Sequence, residues 1–131
     1  MKISPNPKPF HFALGERGEA AACHYLSQNG YQILETNYRC PLGEIDVIAR
    51  RDGRTVFIEI KTRSSNQFGE PQEAVHAQKQ AKLMKIAAWY LKKKKLSDTP
   101  IAFDVIAVTW QEGGDPEIRL FQNAFEKEDV C

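Results

Sequence analysis

The chain has 131 residues, of which 42% are hydrophobic and 27% are charged. This length predicts one domain with its own core, and the composition excludes a disordered chain or a coiled coil. Its apolar runs are too short to cross a bilayer and no secretory signal is visible, so we expect a cytoplasmic protein with no membrane partner. The net charge of +1 conceals a basic segment, residues 76–95, with seven lysines and no acid. This segment predicts an anionic partner at one place on the surface.

The first part of the chain predicts an arm, a helix and a strand. Residues 1–12 are rich in proline and are expected to form an irregular arm. Apolar residues at three- and four-residue spacing predict a helix over 13–29, and Gly30 ends it. Aromatic and β-branched residues over 31–38 predict the first strand. The cysteines Cys23, Cys40 and Cys131 are scattered, which argues against a disulfide framework or a zinc site.

Two alternating runs, 43–50 and 55–62, are joined by Asp52-Gly53, a dipeptide that favours a β-hairpin with a two-residue turn. A loop is expected over 63–71.

The remaining elements are a second helix within 72–95 and strands over 101–110 and 117–122. The second helix is long enough for a crossover, which makes the strand from Ile101 parallel to the strand from Thr55. We therefore predict an α/β fold, a mixed β-sheet flanked by α-helices in the order αβββαββ. It occupies a single domain at 13–122, followed by an acidic tail at 123–131.

The hairpin turn places acidic residues opposite one another. With two residues in the turn, Asp46 faces Glu59 and Glu44 faces Lys61, and all four lie on one face of the sheet. Like charges at directly opposed positions are destabilising. A three-residue turn would shift the register and place Asp46 opposite Ile58 instead.

Two interpretations of this face stay open. In the first, it is a solvated polar face with an ion pair between Glu44 and Lys61. In the second, Asp46 and Glu59 bind a divalent cation such as Mg²⁺ or Mn²⁺, which prefers hard oxygen ligands, and Lys61 adds a positive charge beside it. Glu19 favours the second interpretation because it points with the core-facing stripe of the first helix, where an acid usually needs a partner or a metal. The alternative is that Glu19 lies at the polar border of that stripe.

The sequence also resembles a known family through an ordered set of short motifs. These are Gly43-Glu44-Ile45-Asp46, Glu59-Ile60-Lys61-Thr62-Arg63 and, on the first helix, Gly15-Glu16-x-x-Glu19-x-x-Ala22. In these motifs the chain resembles the YraN family of small bacterial proteins. That family is similar to the PD-(D/E)xK nucleases of restriction-endonuclease-like fold, and most similar among them to the archaeal Holliday junction resolvases.

The resemblance implies a role for each matching residue of the hairpin. Asp46, Glu59 and the backbone carbonyl of Ile60 would bind Mg²⁺ or Mn²⁺, with Glu19 assisting. Lys61 would position the attacking water and stabilise charge on the scissile phosphate. Glu19, Asp46, Glu59 and Lys61 are thus the candidate catalytic residues.

Other positions are candidates for contacting nucleic acid. The resemblance points to Arg63 and Lys79, with Gln78 as the alternative on the second helix. Arg39 and Lys82 are further candidate phosphate contacts. For any single arginine, however, solubilising charge at a strand end is the favoured explanation, and it also explains Lys82. Asp104 also matches the family, either as the partner of a basic residue near the site or as a structural acid. Homodimers are common among junction resolvases, so the resemblance also makes a homodimer a candidate assembly for this chain.

The leading functional hypothesis is a metal-dependent nucleic-acid phosphodiesterase, a structure-selective endonuclease acting on branched or structured DNA. The alternative is a nucleic-acid-binding module of the same fold that does no chemistry. A third hypothesis is a protein-interaction module whose basic helix binds an acidic partner.

Overall fold

The structure is a computed structural model, and it describes residues 14–64 and 77–125. Its elements are α1 (Leu14–Gln28), β1 (Gln32–Cys40), β2 (Gly43–Arg51), β3 (Arg54–Ser64), α2 (Ala77–Lys93), β4 (Ile101–Trp110) and β5 (Glu117–Phe125). The predicted N-terminal arm, residues 65–71 of the predicted loop and residues 126–131 of the predicted tail lie outside the described residues. Neither α1 nor α2 is long and apolar enough to cross a membrane.

The five strands form one sheet in the order β1-β2-β3-β4-β5. Neighbouring strands are antiparallel except β3 and β4, which are parallel and pair Thr55 with Ile101. This arrangement confirms the predicted mixed sheet and the predicted role of α2 as the crossover. β3 lies at the centre of the sheet, so side chains at its end are surrounded by other elements.

The sheet has an apolar core on each face. Phe57 of β3 packs with Leu83 and Ile86 of α2, whereas its neighbour Ile58 packs on the opposite face with Ala22 and Leu26 of α1. Adjacent residues of a strand point to opposite faces, so a strand buried on both faces reads as a continuous apolar run. The two helices are thereby held on opposite sides of β3.

Helix α1 ends where the sequence predicted an end. Gly30 has a φ of 86°, and the N–H of Tyr31 donates to the carbonyl of Leu26 at 3.0 Å. This is the Schellman arrangement, in which a left-handed residue lets the chain reverse and satisfies a free helix carbonyl. The chain then enters β1 directly.

The β2–β3 turn has the two residues that the sequence predicts. Asp52 and Gly53 have φ values of 52° and 76°, as a type I′ turn requires, and the pairs run from Arg51–Arg54 to Val47–Ile58. The alternative register of a three-residue turn is therefore wrong.

The last strand is longer than predicted. Strand β5 continues to Phe125, which pairs with Phe103 beyond an irregularity in the β4–β5 register. Such an irregularity interrupts the alternation of side chains between the two faces of a strand. This explains why the sequence pattern predicted the last strand only as far as residue 122.

Candidate metal and nucleic-acid site

The candidate site begins where the β2–β3 ladder ends. Beyond the pair Val47–Ile58, the carboxylate of Asp46 accepts a hydrogen bond from the backbone N–H of Ile60 at 2.8 Å. A side chain thus takes the place of the next backbone bond between the strands. This bond holds Asp46 against the residue that separates Glu59 from Lys61.

Glu59 is the acid that carries the ion pairs of the site. Its side chain is only 11% exposed, and its Oε1 lies 2.7 Å from Nζ of Lys79 and 3.7 Å from Nζ of Lys61. Lys61 comes from the same strand, whereas Lys79 reaches the carboxylate from α2. Two ammonium groups therefore share one carboxylate oxygen.

The environment of Asp46 disfavours its charged form. Burial and, next, the negative charge of Glu59 raise the pKa of Asp46 from 3.8 to about 6. Glu19 also raises this pKa, while the Ile60 hydrogen bond and the charge of Lys79 lower it. An acid whose pKa is raised by burial and by a neighbouring acid is typical of a functional site, because a cation placed between the two acids would relieve both effects.

The site shifts the pKa values of its two lysines in opposite directions. Burial, followed by the neighbouring Lys79, lowers the pKa of Lys61. Burial also acts to lower the pKa of Lys79, but its hydrogen bond to Glu59 and the nearby charges outweigh burial and raise it. Lys79 is therefore the ammonium that the acids hold more firmly, and Lys61 is the one that loses its proton more readily.

Glu19 approaches the site from α1 but is bound by another residue. Its Oε1 accepts a hydrogen bond from Nδ2 of Asn37 on β1. The negative charge of Glu19 still contributes to the raised pKa of Asp46 and, after burial, to that of the Cys23 thiol. Within residues 14–64 and 77–125, no group of three or more His, Cys, Asp or Glu side chains is arranged to hold a metal ion.

Asn37 is a site residue that the sequence analysis missed. Its φ of 52° lies in the left-handed region, which asparagine tolerates better than most residues. Nothing in the local pattern of β1 shows that its side chain will meet a residue of α1, because that contact depends on how the helix packs on the sheet.

A close approach positions α1 against the end of β3. A Cβ atom at Gly18 would lie inside van der Waals contact of the Thr62 side chain. Only a residue without a side chain fits there, next to Glu19 on the helix and next to Lys61 on the strand. The missing side chain lets the two elements bring their polar residues to the same end of the sheet.

The comparisons with known proteins identify the family of the chain. A family model described as "Uncharacterised protein family UPF0102" matches residues 18–108. The chain belongs to the UPF0102 family. The match confirms the predicted YraN resemblance, and residues 18–108 contain every candidate catalytic residue of this UPF0102 protein.

Relatives of the chain are themselves named UPF0102 proteins. The protein of Moorella thermoacetica is 52% identical over 94 residues, covering 72% of this chain and 78% of the relative. The protein of Geotalea uraniireducens is 47% identical over 115 residues, covering 87% and 90%. Among solved structures, that of Pyrococcus furiosus SfsA in complex with Ca²⁺ is 12% identical with a TM-score of 0.41, covering 82% of this chain and 63% of SfsA.

The interpretation of the hairpin as a simple polar face predicted an ion pair between Glu44 and Lys61, and that prediction is wrong. Glu44 instead pairs with Arg39 across β1 and β2 at 3.1 Å, and Lys61 turns towards Glu59. Arg39 belongs to β1, which lies outside the hairpin, so the two hairpin strands alone do not contain the partner of Glu44.

The candidate nucleic-acid contacts lie in different surroundings. Gln78 and Lys82 are exposed on α2 and four residues apart, so they share one face of the helix. Both belong to the N-terminal half of α2, which also carries Lys79. Lys79 is bound to Glu59, and Arg63 is half-buried at the end of β3. Arg39 is 79% exposed despite its ion pair.

Asp104 does not belong to this group. It is 3% exposed, and its two oxygens accept hydrogen bonds from the hydroxyl of Tyr31 at 2.7 Å and from the N–H of Asn123 at 2.9 Å. It therefore acts as a structural acid that joins β4 to β5 and to the start of β1. Of the two predicted roles for Asp104, the structural one is the role that these contacts describe.

Proposed function

We propose that this UPF0102 protein is a metal-dependent nucleic-acid phosphodiesterase, a structure-selective endonuclease acting on branched or structured DNA. One observation carries the proposal: Asp46 and Glu59 belong to one partly buried site in which burial and the charge of Glu59 raise the pKa of Asp46, and Lys61 lies 3.7 Å from Glu59. Two acids and a lysine in this arrangement provide ligands for a cation and a positive charge beside it.

The donor set fits Mg²⁺ or Mn²⁺. Both carboxylates supply hard oxygen ligands, and their mutual repulsion is the feature that a cation removes. In an extended strand the N–H and C=O of one residue point to the same side. The N–H of Ile60 binds Asp46, so we expect the Ile60 carbonyl to face the same site. Glu19 would assist from outside, since its carboxylate is held by Asn37.

Each group of the chain has a distinct task in the proposed reaction. A bound divalent cation would supply Lewis-acid chemistry and an activated water. Lys61 would orient that water and stabilise the charge that develops on the phosphate, and its lowered pKa eases proton exchange with water. The Ile60 N–H keeps the Asp46 carboxylate in one orientation.

Basic and polar residues around the site support binding to a phosphate backbone. Gln78 and Lys82 would contact phosphates from α2, and Arg39 and Arg63 would contact them from the sheet. Such contacts position the substrate but do not read its sequence, which agrees with recognition of DNA structure. A second copy of the chain would be needed if both strands of a junction are cut at symmetric positions.

The test uses purified protein with four-way junctions, flaps, duplexes and single strands, in Mg²⁺ and in Mn²⁺. We expect cleavage of a branched substrate, and its loss in Asp46→Asn and in Glu59→Gln. The matched control is Glu44→Gln, which removes an exposed acid two residues from Asp46 and should leave cleavage unchanged.

Cleavage that persists in Asp46→Asn would contradict the proposed site. Salt-dependent binding without any product, unchanged in Asp46→Asn, would favour the non-catalytic nucleic-acid-binding module instead. Absence of both metal and nucleic-acid binding would favour the protein-interaction module.

A further inference from the structure

The contact between Lys79 and Glu59 differs in kind from the contact between Lys61 and Glu59. Lys61 is two residues from Glu59 on the same strand, so the backbone keeps it near the carboxylate in every state. Lys79 comes from α2, its side chain is 39% exposed, and it makes the shorter contact, 2.7 Å against 3.7 Å. Although the acids hold Lys79 more firmly than Lys61, Lys79 is the partner that no strand backbone keeps beside Glu59 and whose side chain has a route to solvent.

We propose that Lys79 is an internal substitute for the divalent cation, and that Lys79 and the metal compete for Glu59. This inference rests on the proposed metal site. The Lys79 ammonium binds Oε1 of Glu59 directly, which is one of the oxygens that a metal ligated by Glu59 would need. Binding of the cation then requires the ion pair to open.

The charges of the site lead to the same conclusion. With Asp46 ionised, Asp46 and Glu59 balance Lys61 and Lys79, so these four side chains have no net charge; the nearby negative charge of Glu19, which Asn37 binds, is not counted with them. A divalent cation added to the unchanged group would leave two positive charges in a place where Glu59 is only 11% exposed. Movement of Lys79 into solvent lowers that excess to one charge, and like charges in a partly buried site repel strongly.

Once it leaves Glu59, the ammonium of Lys79 would lie among exposed residues of α2. Gln78 precedes it and Lys82 follows it one turn later, and both are exposed. Once released, Lys79 joins these residues on the surface proposed to contact phosphates. Because linkage is reciprocal, a phosphate that draws Lys79 away from Glu59 also strengthens the binding of the cation.

The experiment measures Mn²⁺ binding to the purified full chain by calorimetry at pH 8, where Asp46 is ionised, without nucleic acid. Lys79→Met should bind Mn²⁺ roughly tenfold more tightly, because it removes one opposing charge and its ion pair. Lys79→Arg keeps the charge and should stay within about twofold of the parent protein. Lys85→Met is the matched control, since it removes an exposed lysine from the same helix about 9 Å further along its axis. Circular dichroism of each variant without metal checks the fold.

The outcomes separate this inference from the proposed function. Tighter binding in Lys79→Met alone supports competition, and it does so even if no DNA substrate is cleaved. Equal or weaker binding in Lys79→Met, with Mn²⁺ still bound by the parent protein, overturns competition and leaves the metal site standing. If neither the parent nor any variant binds Mn²⁺, both the inference and the metal-dependent function are wrong.

Discussion

Acidic side chains beside the β2–β3 hairpin have two different kinds of partner. Asp104 of the neighbouring strand β4, which pairs with Ile58, is buried, and its partners are a phenol hydroxyl and a backbone N–H. At the open end, Asp46 and Glu59 lie beside one another, and the partners of Glu59 are two ammonium groups. A polar cavity of about 280 Å³ adjoins the turn, lined in part by Arg51 and Arg54.

The difference separates a structural acid from a functional one. Neutral donors fixed by the fold satisfy Asp104 permanently and leave nothing for a ligand to displace. Cations on flexible side chains satisfy Glu59, and another cation can take their place. Acids whose partners are exchangeable, and one of which has its pKa raised by burial and by the other's charge, are therefore the better candidates for chemistry. The predictions below break or sharpen this comparison, from the largest expected effect to the smallest.

Loss of the Lys61 charge should have the largest effect. Lys61→Met should slow single-turnover cleavage in Mn²⁺ by about 10²–10³-fold, the usual result of removing a group that stabilises developing charge. Lys61→Arg retains the charge and should lose less. Equal rates for Lys61→Met and the parent protein would place the chemistry elsewhere.

Removal of the structural acid should affect stability and leave the metal site intact. Asp104→Ala leaves the Tyr31 hydroxyl and the Asn123 N–H without their acceptor and should lower the free energy of unfolding by about 2–4 kcal/mol. Asp104→Asn keeps one acceptor and should cost less. Urea denaturation gives the stability, and the increase in Tm on adding Mn²⁺ should survive in both variants.

Asp46 should make stability depend on pH with a definite sign. Its pKa is about 6 in the folded protein, above the usual 3.8, so between pH 4 and 6 the folded state keeps a proton that the unfolded state releases. The parent protein therefore loses stability through Asp46 as the pH rises through this range. Asp46→Asn should consequently gain about 1–3 kcal/mol relative to the parent between pH 4 and 7. A difference between the two proteins that does not change with pH would show that Asp46 titrates normally.

The exposed pair between Arg39 and Glu44 should have the smallest effect on stability. Arg39→Met should change the free energy of unfolding by less than about 0.5 kcal/mol, because exposed ion pairs are strongly screened by water. If Arg39 contacts a phosphate, the slope of log affinity for DNA against log salt concentration should nevertheless fall by about one. An unchanged slope would remove Arg39 from the binding surface.

The hairpin shows how far sequence patterns reach. Asp52-Gly53 set the turn and hence the register, and alternation then brought Asp46 and Glu59 to the same end of two neighbouring strands. The parallel direction of β3 and β4 also followed, because a long crossover helix permits little else. These predictions held because turn chemistry and strand period act over a few residues.

The contacts that define the site could not be predicted in the same way. Lys79 meets Glu59 across 20 positions of the chain, and Asn37 meets Glu19 between a strand and a helix. The expected pair between Glu44 and Lys61 failed in part for the same reason, because Arg39 of β1, a third element, pairs with Glu44, while Lys61 pairs with Glu59 of its own strand. Which of several nearby charged side chains pairs with a given acid depends on distances that only the packing of helices and strands sets.

By itself, the sequence determined the order of the elements, the hairpin register and the placing of Asp46, Glu59 and Lys61 at one end of the sheet. Only the tertiary structure decided which ammonium binds Glu59 most closely and that Asn37 holds the carboxylate of Glu19. Strand alternation and turn geometry are local properties of the backbone, whereas these contacts arise when two helices pack on opposite faces of a strand.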